Sequence, residues 1–146
     1  MTEFNDKIEH WFADSIGKCF AMSVKDGYDS YMFSKEFLSS DWGSGLLLEK
    51  RIREYESVPY MYAKAKKNLE LKQGVTYEEY LMWMYGYLVK YWVTTKDVTP
   101  QEVWEVLPID KFDKLFLFYH TQGWNYIIKD AYKRRSRQGS NIEQLM

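Results

Sequence analysis

Apolar residues recur along this chain at three- and four-residue steps, a period that predicts helices. Phe4, Ile8, Trp11, Phe12, Ile16, Cys19 and Phe20 would line one face of a first helix from about Thr2 to Lys25. Asp26-Gly27 reads as its stop, because glycine accepts the left-handed backbone conformation that ends helices. A short helix over residues 30–39 would bury Tyr31, Met32 and Leu38. Ser40-Asp41-Trp42-Gly43-Ser44-Gly45 reads as a loop. A third helix is expected from Leu46 to Glu56, with Glu49–Arg53 and Lys50–Glu54 pairs one turn apart. A fourth would run from Pro59, which suits a first helical position, to Leu71.

The fifth helix has the clearest start. Thr76-Tyr77-Glu78-Glu79 matches a capping box, in which a hydroxyl and a carboxylate satisfy free backbone donors. Its apolar residues, from Tyr77 to Trp92, spread over roughly 200° of the helix, wider than the stripe of a surface helix. Such a helix is either central to the fold or part of an interface. Thr99-Pro100-Gln101-Glu102 is a second capping box and starts a short helix that ends before Pro108. Asp110 would cap a helix from Lys111 to about His120 that buries Phe112, Leu115, Phe116 and Tyr119. After a break at Gly123, a last helix would run from Trp124 to about Arg135 with Trp124, Ile127, Ile128 and Ala131 inward.

No strand alternation, internal repeat or linker stands out. The pattern predicts an all-α fold: one compact domain over residues 1–136, of about seven to eight helices, around a central aromatic-rich helix at about 76–95. Residues 137–146 lose the periodicity and are expected to form a mobile C-terminal tail.

Composition adds one thing to this picture. Of 146 residues, 18% are aromatic, with 13 Tyr, 8 Phe and 6 Trp, more than one helix face needs. Tyr and Trp favour interface cores because they bury a large area at small rotamer cost. The net charge of −1 gives no global pull towards nucleic acid. Locally the charge alternates: net −4 over residues 1–45, +3 over 46–73, −3 over 74–128 and +3 over 129–146.

Catalytic and metal chemistry find little support. The two histidines, His10 and His120, lack a second His or Cys one turn away, so neither a metal nor another cofactor is expected. The single cysteine, Cys19, lies on an apolar helix face and forms no internal disulfide. There is no Gly-x-Ser-x-Gly elbow, phosphate loop or dinucleotide fingerprint, and no Arg a few residues before His120 as helical ribonucleases have. The chain is therefore expected not to be an enzyme. Met1–His10 carries Glu3, Asp6, Lys7 and Glu9, unlike a signal peptide, and Tyr80–Trp92 is too short to span a bilayer. A cytoplasmic location with no membrane partner is expected.

Protein binding fits the aromatic surplus best. The exposed members of Trp42, Trp83, Tyr85 and Tyr87 are the candidate contact residues, with Arg51 and Arg53 as a charged rim. A homodimer would use the same surplus. The alternative is a nucleic-acid-binding regulator using Lys129, Lys133, Arg134, Arg135 and Arg137, whose affinity would fall steeply with salt. A second basic group, Lys64, Lys66, Lys67 and Lys72, lies beside Tyr60 and Tyr62.

Several segments carry a family resemblance. Met82-Trp83, Gly86-Tyr87 and Lys90-Tyr91-Trp92 are similar to the pattern W-x-G-Y-x-x-R/K-Y-W, stretched here because two residues, not one, separate Trp83 from Gly86. Tyr119-His120-Thr121-Gln122-Gly123 before Tyr126-Ile127-x-x-Asp130, and upstream Phe37–Asp41 with Gly45-Leu46, continue the likeness over residues 31–133. Together they resemble small helical proteins of Gram-positive bacteria and their mobile elements, found in toxin–antitoxin-like cassettes. The basic tail is not part of that pattern. The resemblance implies a non-enzymatic antitoxin-like or immunity-like protein that binds and blocks a protein partner, with His120, Thr121 and Gln122 structural. The partner would be a toxin, or a defence enzyme if the chain is instead a phage-encoded inhibitor.

Overall fold

The computed structural model describes residues 7–49 and 57–145, with side chains as far as residue 137. Eight helices follow one another: α1 (Lys7–Lys25), α2 (Ser30–Ser39), α3 (Asp41–Leu48), α4 (Val58–Asn68), α5 (Glu79–Lys96), α6 (Pro100–Val106), α7 (Ile109–Tyr119) and α8 (Trp124–Leu145). The expectation of a single all-α domain holds. The α1–α5 pair organises it, packed along its length with the other helices set around it.

The two helices approach closely because glycine faces glycine. A Cβ on Gly86 would lie 3.0 Å from the Gly17 Cα, and one on Gly17 would lie 2.6 Å from the Trp83 carbonyl oxygen. Around this crossing Phe12, Ile16, Phe20, Leu81, Met82, Tyr85, Leu88 and Trp92 are buried, joined by Phe33 and Phe37 of α2. Phe20 meets Phe33 edge-on at 5.2 Å between ring centroids and Phe37 at 4.9 Å. The broad aromatic spread of α5 thus belongs to a helix buried on most sides.

Several boundaries differ from the sequence pattern, each for a local reason. Thr76 does not cap α5: Glu78 precedes the helix and no side chain caps it. Residues 72–77 are instead pulled against the turn after α1. Ser30 N donates to Val75 O at 2.9 Å, Val75 N to Asp29 Oδ2 at 3.3 Å and Tyr77 N to Ser30 Oγ at 2.9 Å. Thr99 does cap α6, its hydroxyl accepting from Glu102 N at 3.1 Å. Asp110 lies inside α7, which starts one residue earlier at Ile109.

The stretch expected as a loop, residues 40–45, is mostly helix. Ser40 caps α3 by accepting from Gly43 N at 3.0 Å, and Gly43 fits because a Cβ there would meet the Phe37 carbonyl oxygen at 1.9 Å. The helix expected from Leu46 to Glu56 is already closing at Leu48, and residues 50–56 lie outside the described ones. In α1, Phe12, Ile16, Cys19 and Phe20 are buried as expected, but Ile8 and Trp11 are exposed, and Phe4 is not among the described residues. In α2, Phe33 and Phe37 take the core positions and Tyr31 is exposed against Trp104. At the other end α8 continues as helix to Leu145, beyond the expected stop at Arg135.

One buried cation joins two elements. Lys90 of α5 is 2% exposed, and its ammonium donates to Leu47 O at 2.8 Å and to Glu49 O. These carbonyls belong to the C-terminal end of α3, where a positive charge is favoured. The ammonium also lies 4.1 Å from the centroid of the Phe12 ring. Burial nevertheless lowers its pKa from 10.5 to about 8, against the pull of Glu49 and Glu9.

Candidate partner-binding groove

The expected α5 contact surface is divided between core and rim. Tyr85 is fully buried and its hydroxyl donates to Leu107 O at 2.8 Å. Tyr87 is 4% exposed, bonded to His10 Nδ1 at 2.6 Å, and burial pushes its phenol up to about 12. Both rings are buried within the fold. The reason is the central position of α5, which spends its aromatics on α1, α7 and α8. Trp83 is half-buried: its indole N–H donates to Asp14 Oδ1 at 2.9 Å and its ring stacks on Tyr80 at 6.0 Å. Trp42 is half-buried on α3, edge-on to Phe37 at 5.5 Å, and packs against the same core as Trp83. Arg51 and Arg53 lie outside the described residues.

The described structure instead gathers charge and apolar surface between α6, α7 and α8. A groove of about 370 Å³ is lined by Val106, Leu107, Lys111, Lys114, Leu115, Ala131, Arg134, Arg135 and Arg137. Helical spacing builds both walls. On α7, Lys111, Lys114, Leu115 and Phe118 fall three or four residues apart and share one face. On α8, Ala131, Arg134 and Arg135 do the same. Leu115, expected in the core, is half-buried here as part of the aliphatic floor. At the Phe118 end of α7, Arg134 lies 5.9 Å above that ring and Tyr126 meets it edge-on at 5.9 Å. Leu117, one residue before, is 84% exposed.

Two carboxylates temper the cations. Asp130 accepts from Arg134 Nε and from the Tyr119 hydroxyl, each at 2.6 Å on the same oxygen. Burial raises the Asp130 pKa, but those two bonds and the arginine charges outweigh it, and the net shift is downward. Glu105 lies 4.0 Å from Arg135. The lining still carries five cationic side chains and no carboxylate.

Of the basic residues that the sequence singles out, Arg134, Arg135 and Arg137 enter this groove, while Lys129 and Lys133 are exposed elsewhere on α8. Lys111 and Lys114 were missed. Their signal was present as two lysines three residues apart beside Leu115, but it reads as a solvated face until α8 is laid against it.

A second cavity of about 230 Å³, lined by Glu9, Leu47, Leu48, Glu49, Val93, Thr94 and Asp97, lies beside the α3 end that Lys90 holds. Cys19 is fully buried, and burial pushes its thiol up to about 12, so it is not a thiolate at neutral pH. Among the described residues no three His, Cys, Asp or Glu side chains are grouped to hold a metal, and no helix is long and apolar enough to cross a membrane. No family model, curated protein or solved structure matches the chain.

Proposed function

We propose that this chain is a non-enzymatic protein-interaction module, antitoxin-like or immunity-like, that binds and blocks a protein partner through the groove between α6, α7 and α8. The observation that carries the reading is the pairing of an aliphatic floor with a cationic rim in one concave surface. Interface cores are apolar and rims polar, and rim charges set specificity and association rate. The motif resemblance over residues 31–133 points to the same class, and a phage-encoded inhibitor of a defence enzyme would use the same surface. The test is capture from nuclease-treated lysate by wild type, Leu115→Asp and Lys114→Glu. A stoichiometric protein held by wild type and lost with both variants supports the reading. Equal capture by all three, or capture of nothing by wild type, overturns it.

A second reading rests on α8. Lys129, Lys133, Arg134, Arg135 and Arg137 are all exposed, and Asp130 is the one acidic residue among positions 129–137. A regulator using the basic residues of α8 would bind nucleic acid, and capture would then vanish on nuclease treatment and at high salt.

A further inference from the structure

We infer that the groove takes an acidic amphipathic helix of the partner, with apolar side chains seated on the floor and Asp or Glu facing the rim. This rests on the partner-binding reading above and names the chemistry of the bound segment.

Three observations select that occupant. First, the floor offers van der Waals contact and little else. Val106, Leu107 and Ala131, each 2% exposed, back it with aliphatic side chains, half-buried Leu115 is the one that opens to it, and the Leu107 carbonyl already accepts the buried Tyr85 hydroxyl. A nucleic acid wants aromatic platforms for its bases and donors for their edges, and this floor supplies neither. Second, the charge is one-sided. Lys114 and Arg137 stand on the rim with the other cations of α7 and α8, while the nearby carboxylates are Asp130, bonded to Arg134, and Glu105, 4.0 Å from Arg135. A segment with carboxylates beside its apolar stripe complements that rim; a basic or neutral one does not. Third, the groove is a cleft among helices. Among the described residues the only extended pairing is the isolated Tyr28–Gln73 bridge, which does not line it, so no strand edge is on offer for β-addition. A helix laid in a helical cleft presents apolar anchors at i, i+3 or i+4 and i+7, about two turns of contact.

The experiment uses the full chain and fluorescein-labelled probes read by anisotropy. One probe is a side-chain-stapled 14-residue helix with leucines at i, i+3, i+4 and i+7 flanked by glutamates. The second has the same composition with the leucines scattered round the helix. The third is a glutamate homopeptide of equal charge, and the fourth a 14-base-pair DNA duplex. The amphipathic helix is expected to bind about tenfold more tightly than the other three, a difference that Leu115→Asp abolishes. Lys114→Glu, at an exposed position, should lower affinity and flatten its salt dependence. Equal binding of all acidic probes, tighter binding of the duplex, or no binding of the amphipathic helix overturns the inference. So does a concentration-dependent dimer, broken by Leu115→Asp in sedimentation, which would make a second copy the occupant. If lysate capture depends on Leu115 while the amphipathic probe fails, the helix inference falls and the module reading stands. If capture ignores both groove variants, the module reading itself falls.

Discussion

The Lys90 ammonium lies 2.8 Å from the Leu47 carbonyl oxygen, so one buried lysine of the central helix closes the C-terminal end of α3. The contact is polar at one end and costly at the other. Its two carbonyl acceptors and the Phe12 ring favour the ammonium, while burial favours the neutral amine. An amine still donates to both carbonyls after losing its proton.

The pH dependence follows from that balance. The folded pKa of about 8 lies below the unfolded value of 10.5. Between them the unfolded chain binds more protons than the native one, so the Lys90 contribution to stability rises with pH. It is least favourable below about pH 8 and recovers towards pH 10.5. Cys19, whose pKa is raised, works in the opposite sense above pH 9, so the comparison with Lys90→Met isolates the lysine. Urea unfolding should show wild type gaining about 1 kcal/mol relative to Lys90→Met between about pH 7 and pH 9. A difference that stays flat over that range would mean the amine is not buried as described.

Gly17→Ala tests the α1–α5 crossing. The new methyl would lie 2.6 Å from the Trp83 carbonyl oxygen, a backbone atom of a packed helix that cannot swing away. Alanine favours a helix interior by about 1 kcal/mol over glycine, yet overpacking should outweigh this and leave a net loss of about 1–3 kcal/mol in urea. A stabilised variant would show that the helices can separate freely.

The fold class and the central helix were legible in the sequence because the 3.6-residue period of α5 and α1 is set by long apolar runs. The ends were less legible because they depend on distant partners. Thr76-x-x-Glu79 and Thr99-x-x-Glu102 look alike in sequence. In the structure Asp29 and Ser30 pull residues 72–77 into an extended pairing, and only Thr99 is left to cap. The groove was half legible for a similar reason. The α8 cations stood out as a run, but the floor exists only where α6 and α7 meet α8. Tyr85 and Tyr87 are buried, which was not legible because periodicity cannot say whether a wide aromatic helix is surrounded.

The two capping boxes give a paired test. Thr99→Ala removes an acceptor for Glu102 N and should cost about 1 kcal/mol. Thr76→Ala removes no cap and should stay within about 0.5 kcal/mol of wild type. Equal losses in thermal or urea unfolding would return Thr76 to the role its sequence suggests.

Tyr85→Phe leaves the ring and deletes the hydroxyl. The Leu107 carbonyl then loses the donor that lies 2.8 Å away in a fully buried setting. A stability loss of about 1–2 kcal/mol is expected, since a buried acceptor without its partner keeps its desolvation cost. A neutral result in urea unfolding would mean that water replaces the hydroxyl, and that the groove floor is wetter than its lining implies.

Asp130→Asn separates stability from binding at the groove. The carboxylate accepts from Tyr119 and Arg134 on one oxygen, and its pKa is lowered below 3.8. A carboxylate with a depressed folded pKa stabilises the native state above its unfolded pKa and loses that contribution as pH falls through the folded value. The asparagine variant should therefore lose about 1 kcal/mol near neutral pH, and the gap to wild type should close in acid. The same change removes the one carboxylate bonded to Arg134 and raises the positive charge of the groove by one. Affinity for the acidic amphipathic helix should then rise about two- to fivefold at low salt and fall more steeply as salt is added. A variant that is less stable and also binds less tightly would show that Arg134 must be held by Asp130 to meet the partner, and that its charge alone is not what the groove contributes.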